Sequence, residues 1–194
     1  MLAGGTVALL VLTGCSPSAS STPSDSATPA ASATASAEPT SAPSPTPTPE
    51  PTGTPVALSC DEILSPQNVY DFNPNFGTAP AYEPATDSLA ATAVKYSGVA
   101  CGWSNQTSGE LIEIAVAQPE PTLMTTLKDA AIAGSQVVPT YSSTADIEGF
   151  FTVDAGVGQV QVFTGTYWVT VNSPAFYEPG DAQALVATVL GNLG

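Results

Sequence analysis

The side chains able to do chemistry in this chain are almost all carboxylates: seventeen Asp and Glu stand against two basic residues, Lys95 and Lys128, and there is no histidine. Without imidazole the chain lacks the usual general base near neutral pH and the commonest neutral metal ligand. It also lacks the middle member of any Ser/His/Asp or Cys/His nucleophile system. Catalysis would have to come from paired acids. Glu110 and Glu113 are three apart, so on a strand they face opposite sides and cannot share a substrate. Asp146, Glu148 and Asp154 meet other acids only through tertiary contacts, and a solvated acidic surface accounts for them. The nearest approach to a cation loop is Asp71-Phe72-Asn73-Pro74-Asn75-Phe76-Gly77, with Glu83 after five intervening residues. Asp71, Asn73, Asn75 and Glu83 are oxygen ligands in roughly the order a calcium loop uses, but Phe76 displaces the glycine and Pro74 stiffens the turn. A turn-rich connection is the plainer reading. No metal and no cofactor is expected.

The formal charge of -15 bears on partners as well. A surface this acidic repels phosphates and anionic headgroups, which excludes nucleic acid and peripheral lipid binding.

Three cysteines remain, and their surroundings separate them. Cys15 closes an apolar run, residues 3–12 (AGGTVALLVL), which has the length of a signal-peptide core and is too short to span a bilayer. Leu12-Thr13-Gly14-Cys15 resembles the lipobox of bacterial lipoproteins. That resemblance implies a diacylglyceryl thioether on Cys15 and cleavage just before it, with the acyl chains anchoring the product to a membrane. No Lys or Arg precedes the apolar run, so the true start is expected upstream.

Residues 16–55 contain only Ser, Thr, Ala and Pro apart from Asp25, Glu38, Glu50 and Gly53. Such a segment has no apolar side chain large enough to offset the entropy of ordering, and its proline-dense end favours polyproline II. A stalk over 15–55 is therefore expected, between a leader at 1–14 and one globular domain at 56–194. On the exported side Cys60 and Cys101 can pair, closing a loop of about 42 residues. Two separate buried thiols are the alternative. A redox-active pair is disfavoured by the absence of Cys-x-x-Cys spacing.

The elements that must position these residues follow from periodicity and caps. Ser59 with Glu62 forms a capping-box pattern and Ser65-Pro66 a second start, which predicts one or two helical turns over 60–72. Residues 87–96 predict a helix begun at Asp87. Val99 onward and Glu110 to Ala117 predict a hairpin, and Pro119 and Pro121 open a helix over 122–133. Three strands follow, at 147–154, 158–165 and 166–172. Ala182, Leu185, Val186, Val189, Leu190 and Leu193 then form one apolar stripe on a final helix. The fold class expected is α+β, an antiparallel sheet of about five strands with helices mainly on one face and one intradomain disulfide. Trp103, Tyr167, Phe150, Phe151 and Phe163 are assigned chiefly to packing. Trp168 points away from Tyr167, Val169 and Val171, and is the aromatic expected to face a ligand.

Cys60-Asp61-x-Ile63-Leu64 behind the stalk, Cys101-Gly102-Trp103 opening a strand, and Pro179-Gly180-Asp181-Ala182 at the last helix together resemble a group of uncharacterised actinobacterial cell-surface lipoproteins. The resemblance implies localisation and a disulfide, and carries no catalytic residue. The function expected is a membrane-anchored extracytoplasmic module, not an enzyme, that binds an envelope protein, a glycan or a small ligand. A carboxylate-dependent cell-wall hydrolase and a small solute-binding component of a transporter are the alternatives.

Overall fold

The computed structural model describes residues 52–142 and 144–194. The expected leader, the acylated Cys15 and nearly all of the expected stalk lie outside them.

The chain enters through β1 (Gly53–Thr54), then two short helices, α1 (Cys60–Ile63) and α2 (Pro66–Phe72), and β2 (Phe76–Thr78). Next come α3 (Leu89–Lys95), the hairpin β3 (Val99–Asn105) and β4 (Leu111–Pro119), and α4 (Pro121–Gly134). After β5 (Gln136–Val137) and a 3₁₀ turn at Pro139–Tyr141 the chain runs through β6 (Glu148–Asp154), β7 (Val157–Phe163) and β8 (Trp168–Ser173), and ends in α5 (Pro179–Leu193). No helix among the described residues is long and apolar enough to cross a membrane.

Local chemistry explains most of these boundaries. Ser59 and Ser65 each accept a hydrogen bond from the backbone N–H three residues on, while Glu62 and Asn68 reach back to the cap N–H, so α1 and α2 begin with reciprocal caps. Helix α3 is capped by Ser88, which accepts from Ala91 N–H at 3.0 Å, and not by Asp87 as expected. Asp87 instead takes a left-handed φ of 67° in the turn before it. At α5 the Asp181 carboxylate accepts from the N–H groups of Tyr177 and Glu178, with Pro179 at the first turn.

The α+β class and the disulfide are as expected, but the sheet has eight strands and not about five. Its order is β2-β3-β4-β8-β7-β6-β5, with β1 pairing β4 off that path and every pair antiparallel. The additional strands β1, β2 and β5 are two or three residues long, set by pairing with a neighbour and too brief to show an alternating pattern. Gly53 and Thr54, expected in the stalk, pair with Pro119 and Gln118 of β4.

Helices also cover both faces of the sheet, not mainly one. On the first, Ile112, Ile114, Val116, Val160, Val162, Val169 and Val171 pack against Ile63, Val69, Leu185, Val186 and Val189 of α1, α2 and α5, and against Leu64 just after α1. On the second, Ala115, Ala117, Phe150, Phe163 and Trp168 pack against Ala90 and Ala93 of α3 and Ala131, Met124 and Leu127 of α4. Alanine at the α3 contact lets that helix lie close, and alternate positions of β4 are thereby buried on both sides. Cys60 and Cys101 are bonded, with Cα atoms 5.7 Å apart, tying α1 to β3.

Candidate functional site

Three of the residues singled out by sequence stand apart from any site. Asp71 lies in α2 with its carboxylate accepting from Gln67 at 2.7 Å, Asn73 turns its Oδ1 to the N–H of Asn75, and Glu83 is exposed on a later loop. Side chains engaged in helix and turn bonds do not converge on a cation, so the calcium-loop reading of Asp71, Asn73, Asn75 and Glu83 is set aside. Among the described residues no group of three His, Cys, Asp or Glu could hold a metal ion. Other carboxylates are similarly engaged. Glu148 pairs with Lys128 at 2.8 Å and Glu110 accepts from Ser108 Oγ at 2.8 Å. Ser59 donates to Glu62 through both backbone and side chain, which holds that carboxyl below its ordinary pKa.

Trp168, expected to face a ligand, is 0 % exposed. It does point away from Val169 and Val171, but at Trp168 that second face is roofed by the cluster that includes α3 and α4. Trp168 stacks on Phe163, centroids 6.4 Å apart, and its indole N–H donates to Gln161 Oε1 at 3.2 Å. Trp103 is buried on the first face.

What stands out on the second face is a polar band crossing three central strands. In register, Glu113 of β4 lies beside Asn172 of β8, and Asn172 beside Gln159 of β7. One step along, Thr170 lies between Ala115 and Gln161. Cross-strand neighbours of this kind have Cβ atoms about 5 Å apart, close enough to serve one ligand. Thr170 is 0 % and Asn172 5 % exposed, yet neither Thr170 Oγ1 nor Asn172 Oδ1 has a hydrogen-bond partner among the described residues. A buried polar atom left in that state costs about 1–3 kcal/mol, and two side by side in a central strand call for a reason.

Beside the band is a groove of about 400 Å³ between the two helices. Gln159 and Gln161 belong to its lining, Leu89 of α3 and Leu127 of α4 stand above them, and Thr152 and Asp154 lie toward the outer strand. Tyr82 covers the opposite end of the band. Its ring lies so close to Gly102 that a Cβ there would come within 2.5 Å of it, and its hydroxyl donates to Glu113 Oε1 at 3.1 Å. Burial first, and then the charge of Glu113 and this hydrogen bond, push the Tyr82 pKa up. Gly102 is thus the residue that lets the Tyr82 ring reach the sheet.

Chemically the band offers amides and hydroxyls, with one carboxylate held by a phenol at one end and another at the rim. Sequence reasoning missed it because Thr170 and Asn172 alternate with apolar residues, as solvent-facing positions of a strand do. The available signal was Trp168 sharing their face. A larger, shallower depression of about 640 Å³ lies between Ser135 and the exposed Tyr177. Neither this depression nor the groove is lined by a buried polar group without a partner: Thr170 and Asn172 lie beneath, outside both.

No family model, curated protein or solved structure matches this chain.

Proposed function

We propose that this protein is a lipid-anchored module on the extracytoplasmic face of a cell membrane, akin to the actinobacterial surface lipoproteins it resembles, and that it binds a ligand without transforming it. The observation that carries the reading is the Cys60–Cys101 bridge, because such bonds persist in oxidising compartments and are rare in the cytosol. Two sequence features upstream agree with it: an apolar run that ends at Cys15, and a Ser/Thr/Ala/Pro tract that would hold the folded part away from the membrane. Binding without turnover is supported by the groove itself, whose central groups are amides and hydroxyls, while the carboxylates described above serve caps, turns and an ion pair.

The test is metabolic labelling of expressing cells with an alkyne-bearing fatty acid, together with mass spectrometry of the mature amino terminus. Label on the native chain, lost in Cys15→Ala, is the expected result. A native chain recovered from the cytosol, unlabelled and with Cys60 and Cys101 as free thiols, would overturn the proposal.

A further inference from the structure

We infer that the open edge of the sheet at β5 and β6 takes an extended, basic peptide segment of another protein, added as a further strand over the depression beside Tyr177. The inference rests on the binding-module reading, names the partner class, and places it apart from the groove between α3 and α4.

Backbone alternation locates the edge. Val138 N–H donates to Gly149 C=O at 2.8 Å, so Gly149, Phe151 and Val153 turn their backbone groups to the outer side of β6, and Val137 turns its own away from β6. β5 pairs only with Phe150 and Phe151, and from Thr152 to Asp154 no described strand pairs with that side of β6. Lysine, proline or an inward charge usually guards such an edge, and Gln136, Val137, Thr152 and Val153 include none of them. Apolar surface gathers at the same place. Of the six large apolar side chains left exposed among the described residues, Val153 and Tyr177 line the depression, Tyr177 being 75 % exposed. Ile132 and Val137 are each one residue along the chain from its lining. Singly such residues need no explanation, but four around one hollow of about 640 Å³ make a contact surface. A peptide laid along the edge takes main-chain bonds from Val137 and Val153 and turns alternate side chains into the hollow.

Charge selects the occupant. Glu178 lines the depression and Asp154 follows Val153. The two basic residues lie off it: Lys128 pairs with Glu148 at the other end of β6, and Lys95 is on α3, 6.0 Å from the Tyr96 ring centroid. An acidic peptide, or a second copy of this chain at charge -15, is therefore repelled, and a segment carrying Lys or Arg between its apolar residues is attracted. The chain's own tract at 43–51 has proline at every second position and lacks there the N–H groups a strand needs.

Amide spectra of the full chain, labelled with nitrogen-15, provide the readout. The chain is titrated with heptapeptides that alternate Lys with Val, Ile, Leu, Tyr or Thr. Counterparts with Glu in place of Lys, and others N-methylated at every residue, serve as the charge and backbone controls. The expected result is a saturable shift of the Val137 and Val153 amides, with slowed hydrogen exchange, by at least one Lys peptide. The amides of β2, at the opposite edge, stay unmoved and the Glu peptides are silent. N-methylation of the peptide, Val137→Pro, and the double variant Val153→Thr/Tyr177→Ser are each expected to weaken binding at least about ten-fold, equivalent to roughly 1.4 kcal/mol. The double variant, altered only at exposed side chains, keeps the native thermal midpoint. Silence toward every Lys peptide would overturn the inference, as would an equal response to the Glu peptides, shifts centred away from this edge, undiminished binding of the N-methylated peptides, or unchanged affinity in the double variant. Shifts of the same amides on concentrating the chain alone would also overturn it, and would assign the edge to a second copy. A chain that carries lipid on Cys15 but ignores every peptide would remove this inference and leave the anchor proposal standing.

Discussion

Trp168 donates its indole N–H to Oε1 of Gln161 at 3.2 Å, so the largest side chain on the second face of the sheet is fixed to a residue that lines the groove. Its packing on Phe163, with Phe150 edge-on to Phe163 at 5.8 Å, makes it part of the core under α4. Trp168→Ala is therefore expected to cost about 3–5 kcal/mol in urea unfolding, the range for truncating a buried aromatic. A loss within about 0.5 kcal/mol, as at ordinary surface sites, would contradict this packing.

The tight turn between β6 and β7 places Ala155 at φ 49° and Gly156 at φ 83°, both in the left-handed region, with Asp154 paired to Val157. That is the geometry of a two-residue hairpin turn which Asn-Gly favours, and alanine pays there for a Cβ that crowds the backbone. Ala155→Asn is expected to stabilise the fold by about 0.5–1 kcal/mol, read as a raised thermal midpoint with no change in the circular-dichroism spectrum.

Removing the covalent link has a larger effect. Reducing the Cys60–Cys101 bond, or replacing both cysteines by serine, is expected to cost about 4 kcal/mol for a loop of this length in the chain-entropy model. The check is a pair of urea titrations with and without reductant on the native chain, the reductant having no effect on the double-serine variant.

Tyr141 is buried, donates to the carbonyl of Pro179 at 2.7 Å, and has its pKa raised by burial and then by the charge of Asp181. Tyr82 is shifted the same way. Since the folded state favours the neutral phenol, the stability this confers is complete below the ordinary tyrosine value of about 10 and is lost as pH rises above it. Denaturation midpoints should thus fall above about pH 10. They should fall less in Tyr82→Phe/Tyr141→Phe, where Tyr141→Phe alone costs about 1 kcal/mol at neutral pH for the lost hydrogen bond.

Much of the scaffold was legible in sequence wherever local rules decide. The caps at Ser59 and Ser65, the proline start at Pro121, and the spacing from Ala182 to Leu193 mark helices through interactions within a few residues. The disulfide partners followed from which cysteines share a folded region. Features set by distant partners were not legible. Phe76–Thr78 and Gln136–Val137 are strands only because β3 and β6 lie beside them. The second buried face was hidden because Ala90, Ala93, Ala115 and Ala117 make a weak hydrophobic signal individually, although together they let α3 seat on the sheet. Thr170 and Asn172 read as ordinary outward polar residues, and only the central place of β8 in the strand order shows that they are enclosed.

The bond from Cys60 to Cys101 also decides how the molecule would carry a mechanical load. A pull from the amino-terminal side would first strip the two residues of β1 from β4, then reach Cys60 and cross at once into β3, between β2 and β4 in the sheet. Residues 61–100, which include α1 beyond Cys60, α2, β2 and α3, would hang slack on that covalent shunt, while the tension fell on the hydrogen-bonded strands themselves.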